Sequence, residues 1–197
     1  MASRSNTAVE STDRELVVTR IFDAPRELMW NTLTVPEHLE HWWGPKGFTS
    51  RVHTLELRPG GTFLYSQKTP DGHEMWGKWV YREIVAPERL VFVSSFSDEK
   101  GNLTRHPFEP NWPLEIQGTS TFTEDRGRTT VTVRMVPINA TASEEQTFFD
   151  GSKFMEEGFA GTWDKLDKYL AKRSEDRISN RLKEKNDATE SISDLQR

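Results

Sequence analysis

Apolar and polar residues alternate at period two through most of the chain between Glu15 and Val136. The cleanest run is Leu114 to Thr123. Leu114, Ile116, Gly118, Ser120 and Phe122 share one face, and Glu115, Gln117, Thr119 and Thr121 share the other. Alternation of this kind predicts a sheet buried on one side. Similar strands are expected over Glu15 to Phe22, Val52 to Leu57, Thr62 to Gln67, Glu74 to Val85, Arg89 to Phe96 and Arg128 to Val136. Turn residues separate them: Arg58-Pro59-Gly60-Gly61, Pro70-Asp71-Gly72, Ala86-Pro87-Glu88 and Glu124 to Gly127. Gly77 interrupts the longest strand and predicts a bulge or a close backbone approach. Asp98 to Pro113 is a long irregular connection.

The period changes in two places. After the first strand, Asp23-Ala24-Pro25 predicts a helix start over Arg26 to Thr34, with Asp23 as a cap and Leu28, Met29 and Leu33 on one apolar face. A second short helix is expected from Pro36 to Trp42. Beyond Val136, Phe159, Trp163, Leu166 and Leu170 follow at steps of four, three and four, which holds one stripe on one helix face. Ser143 with Gln146 resembles the capping box that would start this helix. Its glycines, Gly151, Gly158 and Gly161, weaken its intrinsic propensity, so packing on the sheet must hold it. Gly158 is read as a point of close approach to the sheet or of relaxation beside a pocket.

These elements predict an α+β helix-grip fold: a curved antiparallel sheet of six to seven strands around a long C-terminal helix, with two short helices after the first strand. Residues 1–14 read as a flexible leader, 15–172 as the folded domain, and 173–197 as a polar tail, partly helical or disordered.

Composition narrows the function. The charge is −5 with no basic block, which argues against nucleic acid. The absence of cysteine excludes disulfides and thiolate metal sites and suits a cytoplasmic location. No apolar run approaches the roughly 20 residues of a membrane span. The 7 Trp and 11 Phe exceed what one small core needs, so some should line a cavity.

Several segments resemble the SRPBCC (START/Bet v 1-like) superfamily, in the branch of homologues of the activator of the heat-shock-protein-90 ATPase. They are IFDAPRELMWNTLT at 21–34, HWWGPKGF at 41–48, LELRPGGTFLY at 55–65, PDGHEMWGKWVYREIVAPERLVF at 70–92, GRTTVTV at 127–133 and EEGFAGTWDKLDKYL at 156–170. The resemblance implies the same helix-grip fold. The superfamily is similar in shape across lipid and hormone carriers, polyketide cyclases, sequestering proteins and chaperone regulators, so activity must be argued from the site.

The expected ligand-contacting set is Trp43, His53, Phe63, Tyr65, Trp79, Phe92, Ile116, Met155 and Phe159. His53 enters because alternation places it with Leu55 and Leu57, pointing inward, where it could serve as a general base. His38 and His41, with Glu37 and Glu40, lack a third ligand and read as a solvated helix face, so no metal and no cofactor is expected. Arg20 and Glu115 are a candidate cross-strand ion pair. No nucleophile elbow, phosphate loop or dinucleotide fingerprint is present.

Three functions follow. The first is a non-enzymatic carrier or sensor of a small hydrophobic or aromatic molecule. The second is a cyclase- or hydrolase-like enzyme using a pocket acid or base. The third, implied by the resemblance, is a chaperone co-regulator. A homodimer is left open as a further partner; membrane insertion is not expected.

Overall fold

A computed structural model describes residues 7–11 and 15–194, with side chains over 15–175. Among the described residues, eight antiparallel strands form one sheet in the order β1-β2-β8-β7-β6-β5-β4-β3. Four helices accompany it in the same residues, the last of which crosses the inner face of the sheet. The architecture is the helix-grip α+β fold expected from the pattern. The strand beyond the expected seven is β1 (Thr7–Ser11), inside the segment read as a leader; it pairs along β2 at the sheet edge.

β2 (Leu16–Phe22) shows why the pattern works and where it misleads. Leu16, Val18 and Phe22 are fully buried, as alternation requires. Arg20 shares that inner face and is only 4% exposed. Its guanidinium reaches the last helix, donating to Asp164 Oδ1 at 2.8 Å and to Asp167 Oδ2. A buried cation is tolerable only when paired in this way. The expected Arg20–Glu115 pair does not form. β8 lies between β2 and β7, so the two residues are not on neighbouring strands, and Glu115 instead accepts from Asn139 Nδ2 at 3.3 Å.

Two proline-started helices follow, α1 (Arg26–Thr34) and α2 (Pro36–Trp42). Pro25 and Val35 are their extended N-cap residues, and neither side chain caps; Asp23 does not serve, and the Arg26 N–H at the start of α1 donates instead to Glu124 Oε2 at 2.8 Å. The pair is held by packing and by the Trp42 indole, which donates to the Thr32 carbonyl at 3.1 Å within the core.

The chain then folds as a meander: β3 (Thr49–Leu55), β4 (Thr62–Lys68), β5 (Glu74–Val85), β6 (Arg89–Ser97), β7 (Glu115–Asp125) and β8 (Arg128–Ile138). Two glycines on inner-face positions let rings lie flat on the sheet. Gly77 is opposite Tyr65, and Gly118 is opposite Phe92. Gly77 is thus a close-approach site, while the β5–β6 register shift falls between Tyr81 and Glu83.

The C-terminal helix is two helices. α3 (Ala142–Asp150) begins with a capping box formed by Thr141 and Glu144, two residues earlier than the expected Ser143 and Gln146. The chain turns at Gly151, where a side chain would press on Trp112, and continues as α4 (Ser152–Asp194). Trp163, Leu166 and Leu170 are buried against the sheet, as the stripe predicts. Close approach occurs at Gly161, against Lys46, and not at Gly158, which has open space over it.

Candidate functional site

On the inner face of the sheet, β4, β5 and β6 carry Tyr65, Trp79 and Phe92. Each ring fixes the next. Trp79 and Phe92 stack with centroids 3.9 Å apart, and Trp43 meets Trp79 edge-on at 5.1 Å. Phe63 stacks beneath Tyr65 at 4.8 Å. Because these rings lie flat on Gly77 and Gly118, they leave space under α4. The result is a chamber of about 180 Å³. Its roof is Phe159, Trp163 and Leu166 of α4; Val131, Val133 and Met135 of β8 close one side, and Met29 and Leu33 of α1 the other.

Five of the expected residues line this chamber: Trp43, Tyr65, Trp79, Phe92 and Phe159. Met155 lies outside it at the mouth. Phe63 is fully buried behind Tyr65 and serves as the wall's backing. Ile116 borders a separate void of about 60 Å³ beside Trp112.

His53 is the clear correction. The β3–β4 register shifts between Val52 and Thr54, so His53 is the extra residue of a bulge. An extra residue resets the alternation. Val52 and Leu55 therefore pack on the core, while His53 faces outward, bonded to Ser66 Oγ at 3.0 Å and lying against the Trp76 ring. It is no candidate base for the chamber.

Sequence reasoning missed Ser94 and Ser120, which bring hydroxyls to the wall. The signal was present: period two places Ser94 with Phe92, and Ser120 with Ile116 and Gly118. Met29 and Trp163 were expected as core; which core residues meet the lumen depends on sheet curvature.

Among the described residues, no Asp, Glu, Lys, Arg or His lines the chamber. The polar groups of its lining residues are the two serine hydroxyls, the Tyr65 phenol and the indole N–H groups of Trp42, Trp43, Trp79 and Trp163. Burial pushes Tyr65 up to about 12, partly offset by the nearby indole groups of Trp43 and Trp79, so the phenol stays neutral. Trp43 Nε1 is buried and has no hydrogen-bond partner. A buried donor left unpaired is costly, and the acceptor oxygen of the Tyr65 phenol lies beside the Trp43 indole.

The mouth is a second space of about 210 Å³ sharing Trp43, Tyr65, Met135 and Phe159 with the chamber, and passing Gly158. The loop after α2 forms its lip. Lys165 of α4 holds that loop, donating to the carbonyls of Gly44 at 3.2 Å and Phe48 at 3.1 Å. Burial lowers the Lys165 ammonium from its usual value.

On the flank of α2, His38 Nδ1 lies 2.8 Å from the Tyr169 hydroxyl, and His41 stacks on the Tyr169 ring. These histidines fasten α2 to α4. Among the described residues, no group of three or more His, Asp or Glu side chains is placed to hold a metal ion.

Fold and cavity together define a helix-grip protein with an internal apolar chamber. The chain belongs to the family described as Activator of Hsp90 ATPase homolog 1-like protein, which it matches over residues 23–171. Among solved structures it is similar to protein Ms6760 from Mycobacterium smegmatis, with 27% identity and a TM-score of 0.69, covering 84% of this chain and 97% of that one. It is equally similar to a protein from Arthrobacter aurescens, with 27% identity and a TM-score of 0.71 over 84% and 91% of the two chains. An AHSA1 protein from Silicibacter pomeroyi, 17% identical with a TM-score of 0.61 over 81% and 99%, shares the fold. No curated protein matches the chain.

Proposed function

We propose that this protein is a non-enzymatic carrier, sensor or sequestering protein for a small uncharged aromatic or apolar molecule held between the sheet and α4. The observation that carries this reading is the aromatic chamber, with a buried indole N–H at Trp43 that has no hydrogen-bond partner. Size supports it. An engineered apolar cavity of about 150 Å³ is enough to take up benzene, and this chamber is about 180 Å³. Electrostatics supports it too. A charged guest would lose hydration with no opposite charge to meet it, whereas a neutral guest with one oxygen acceptor satisfies Trp43.

The enzymatic alternative finds little support at the chamber wall. Tyr65 is its one titratable side chain, and it does not ionise near neutrality. Acid–base catalysis works best with a group poised near the working pH.

Native mass spectrometry of freshly purified protein, followed by calorimetric titration with phenol, indole and toluene, tests the reading. A co-purifying neutral aromatic, or saturable binding of these probes that is lost on filling the chamber with Val133→Trp, is the expected result. Absence of both overturns it.

The family description favours a second reading, a chaperone-directed role. An Hsp90 ATPase rate unchanged by saturating amounts of this protein removes that reading. No described helix is long and apolar enough to cross a membrane. We place the protein in the cytoplasm on its lack of cysteine.

A further inference from the structure

Beyond the mouth lies a third space, of about 350 Å³, that the chamber does not need. It shares Pro45, Tyr65 and Gln67 with the mouth, then runs outward along Phe48, Met75 and Trp76. Its outer end is flanked by Phe108 and Phe154, which are 73% and 81% exposed. Two rings so exposed, on opposite sides of one groove, are unusual for a water-facing surface.

Phe108 is not a loose end. It sits in the connection between β6 and β7, where His106 Nδ1 accepts from the backbone N–H groups of Phe108 at 3.1 Å and Glu109 at 3.0 Å. The His106 ring in turn packs on Phe96 and Trp112. Arg105 bonds Glu144 at the start of α3, which ties the loop to the helical layer. The groove wall is therefore built, and Phe154 faces it from the first turn of α4.

Chamber, mouth and groove meet at one residue, Tyr65, which lines all three. The inner end carries Trp43, Ser94 and Ser120; the outer groove passes Gln67, Thr69 and His106 but is apolar along most of its wall. We propose that the guest has two parts: an uncharged aromatic head in the chamber, with an oxygen acceptor on Trp43 Nε1, and an apolar chain that leaves past Tyr65 and lies in the groove between Phe108 and Phe154. The ligand class is a neutral aromatic amphiphile, such as an alkyl-substituted phenol. This inference rests on the chamber reading above and specifies its ligand. Continuity with the chamber selects a ligand chain as the groove's occupant over a separate partner.

The test uses the full chain and 4-alkylphenols from methyl to nonyl, titrated by calorimetry. The indole N–H resonance of Trp43, assigned with Trp43→Phe, reports whether the head is seated. Affinity should rise with chain length beyond butyl, by up to about fourfold per methylene. Phe108→Ala, Phe154→Ala and the double variant should remove that rise and leave 4-methylphenol binding unchanged. Both residues are exposed, so the variants should fold as the parent does. If 4-methylphenol shifts the Trp43 resonance but added methylenes bring no gain, the groove is no subsite, and this inference falls while the chamber reading stands. If no phenol binds, both fall. If the variants leave every phenol unaffected but lower the sedimentation coefficient, the groove is a contact between copies, and the inference is overturned.

Discussion

The ring of Tyr65 lies across Gly77 of the neighbouring strand, so that a methyl group on Gly77 would stand 2.5 Å from the phenol oxygen. Phe92 and Gly118 repeat the arrangement one strand pair further on, with a separation of 2.5 Å from Phe92 Cε2. Rings that lie flat on a glycine take little height above the sheet. The chamber is the height they leave. Gly77→Ala and Gly118→Ala should therefore each lift a ring into the lumen, cost about 1–3 kcal/mol by overpacking, and lower affinity for neutral aromatics. Urea denaturation and calorimetry check the two effects in the same samples.

Gly158 behaves oppositely. A side chain there meets nothing, and the residue borders the mouth. Gly158→Ala should stabilise the protein by about 0.5–1 kcal/mol through helix propensity, with binding intact. Gly158→Leu should remain folded but slow or abolish ligand entry, measured by stopped-flow quenching of tryptophan fluorescence with 4-methylphenol.

Trp43 brings a buried indole N–H without a hydrogen-bond partner to the chamber wall. Trp43→Phe should reduce 4-methylphenol affinity by about five- to tenfold, the worth of one hydrogen bond. Toluene, which has no acceptor, should lose much less. Equal losses for the two probes would mean that the indole acts through packing alone.

Arg20 couples β2 to α4 through Asp164 and Asp167. Asp167 is 30% exposed and Asp164 64%, so the first is the better shielded partner. Asp167→Ala should cost more than Asp164→Ala, and the double variant on the order of 3–5 kcal/mol, because it takes both of these carboxylates from a buried guanidinium. Arg20→Met in the double-variant background should recover much of that loss, as read by thermal denaturation.

Burial lowers His106 from its usual value, opposed by the charge of Glu109. Its Nδ1 accepts two backbone N–H groups only while neutral. The folded pKa is depressed, so at pH below the unfolded value of 6.5 the unfolded chain binds more protons. The loop's stabilisation is complete above pH 6.5 and is lost as the pH falls through the folded value. Hydrogen-exchange protection at Phe108 and Glu109 should decrease on acidification from pH 7 to pH 5, and His106→Ala should abolish that dependence.

How much of this was legible in advance divides by the range of the interaction. Alternation and turn residues place strands because both act within a few residues. The stripe from Phe159 to Leu170 predicts a packed helix for the same reason. Tyr65, Trp79 and Phe92 could be named as wall residues from face and size. His53 could not be placed, because a single bulge reverses the face of everything on one side of it. The capping box was misassigned by two residues, since Thr141-Ala-Ser-Glu and Ser143-Glu-Glu-Gln both fit the local rule, and only the chain's entry angle selects the first.

By itself the sequence determined the kinds of element, their order, and a surplus of aromatic rings facing one side of a sheet. Those follow from backbone geometry and solvent, which every short segment experiences alone. The tertiary structure decided which of the rings meet space and which meet one another. That choice depends on sheet curvature, on strands brought together across long stretches of chain, and on where α4 sits above Gly77 and Gly118. Arg20 makes the same point: its position in the chain marks it as inward-facing, but it takes the tertiary fold to bring Asp164 and Asp167 to its guanidinium.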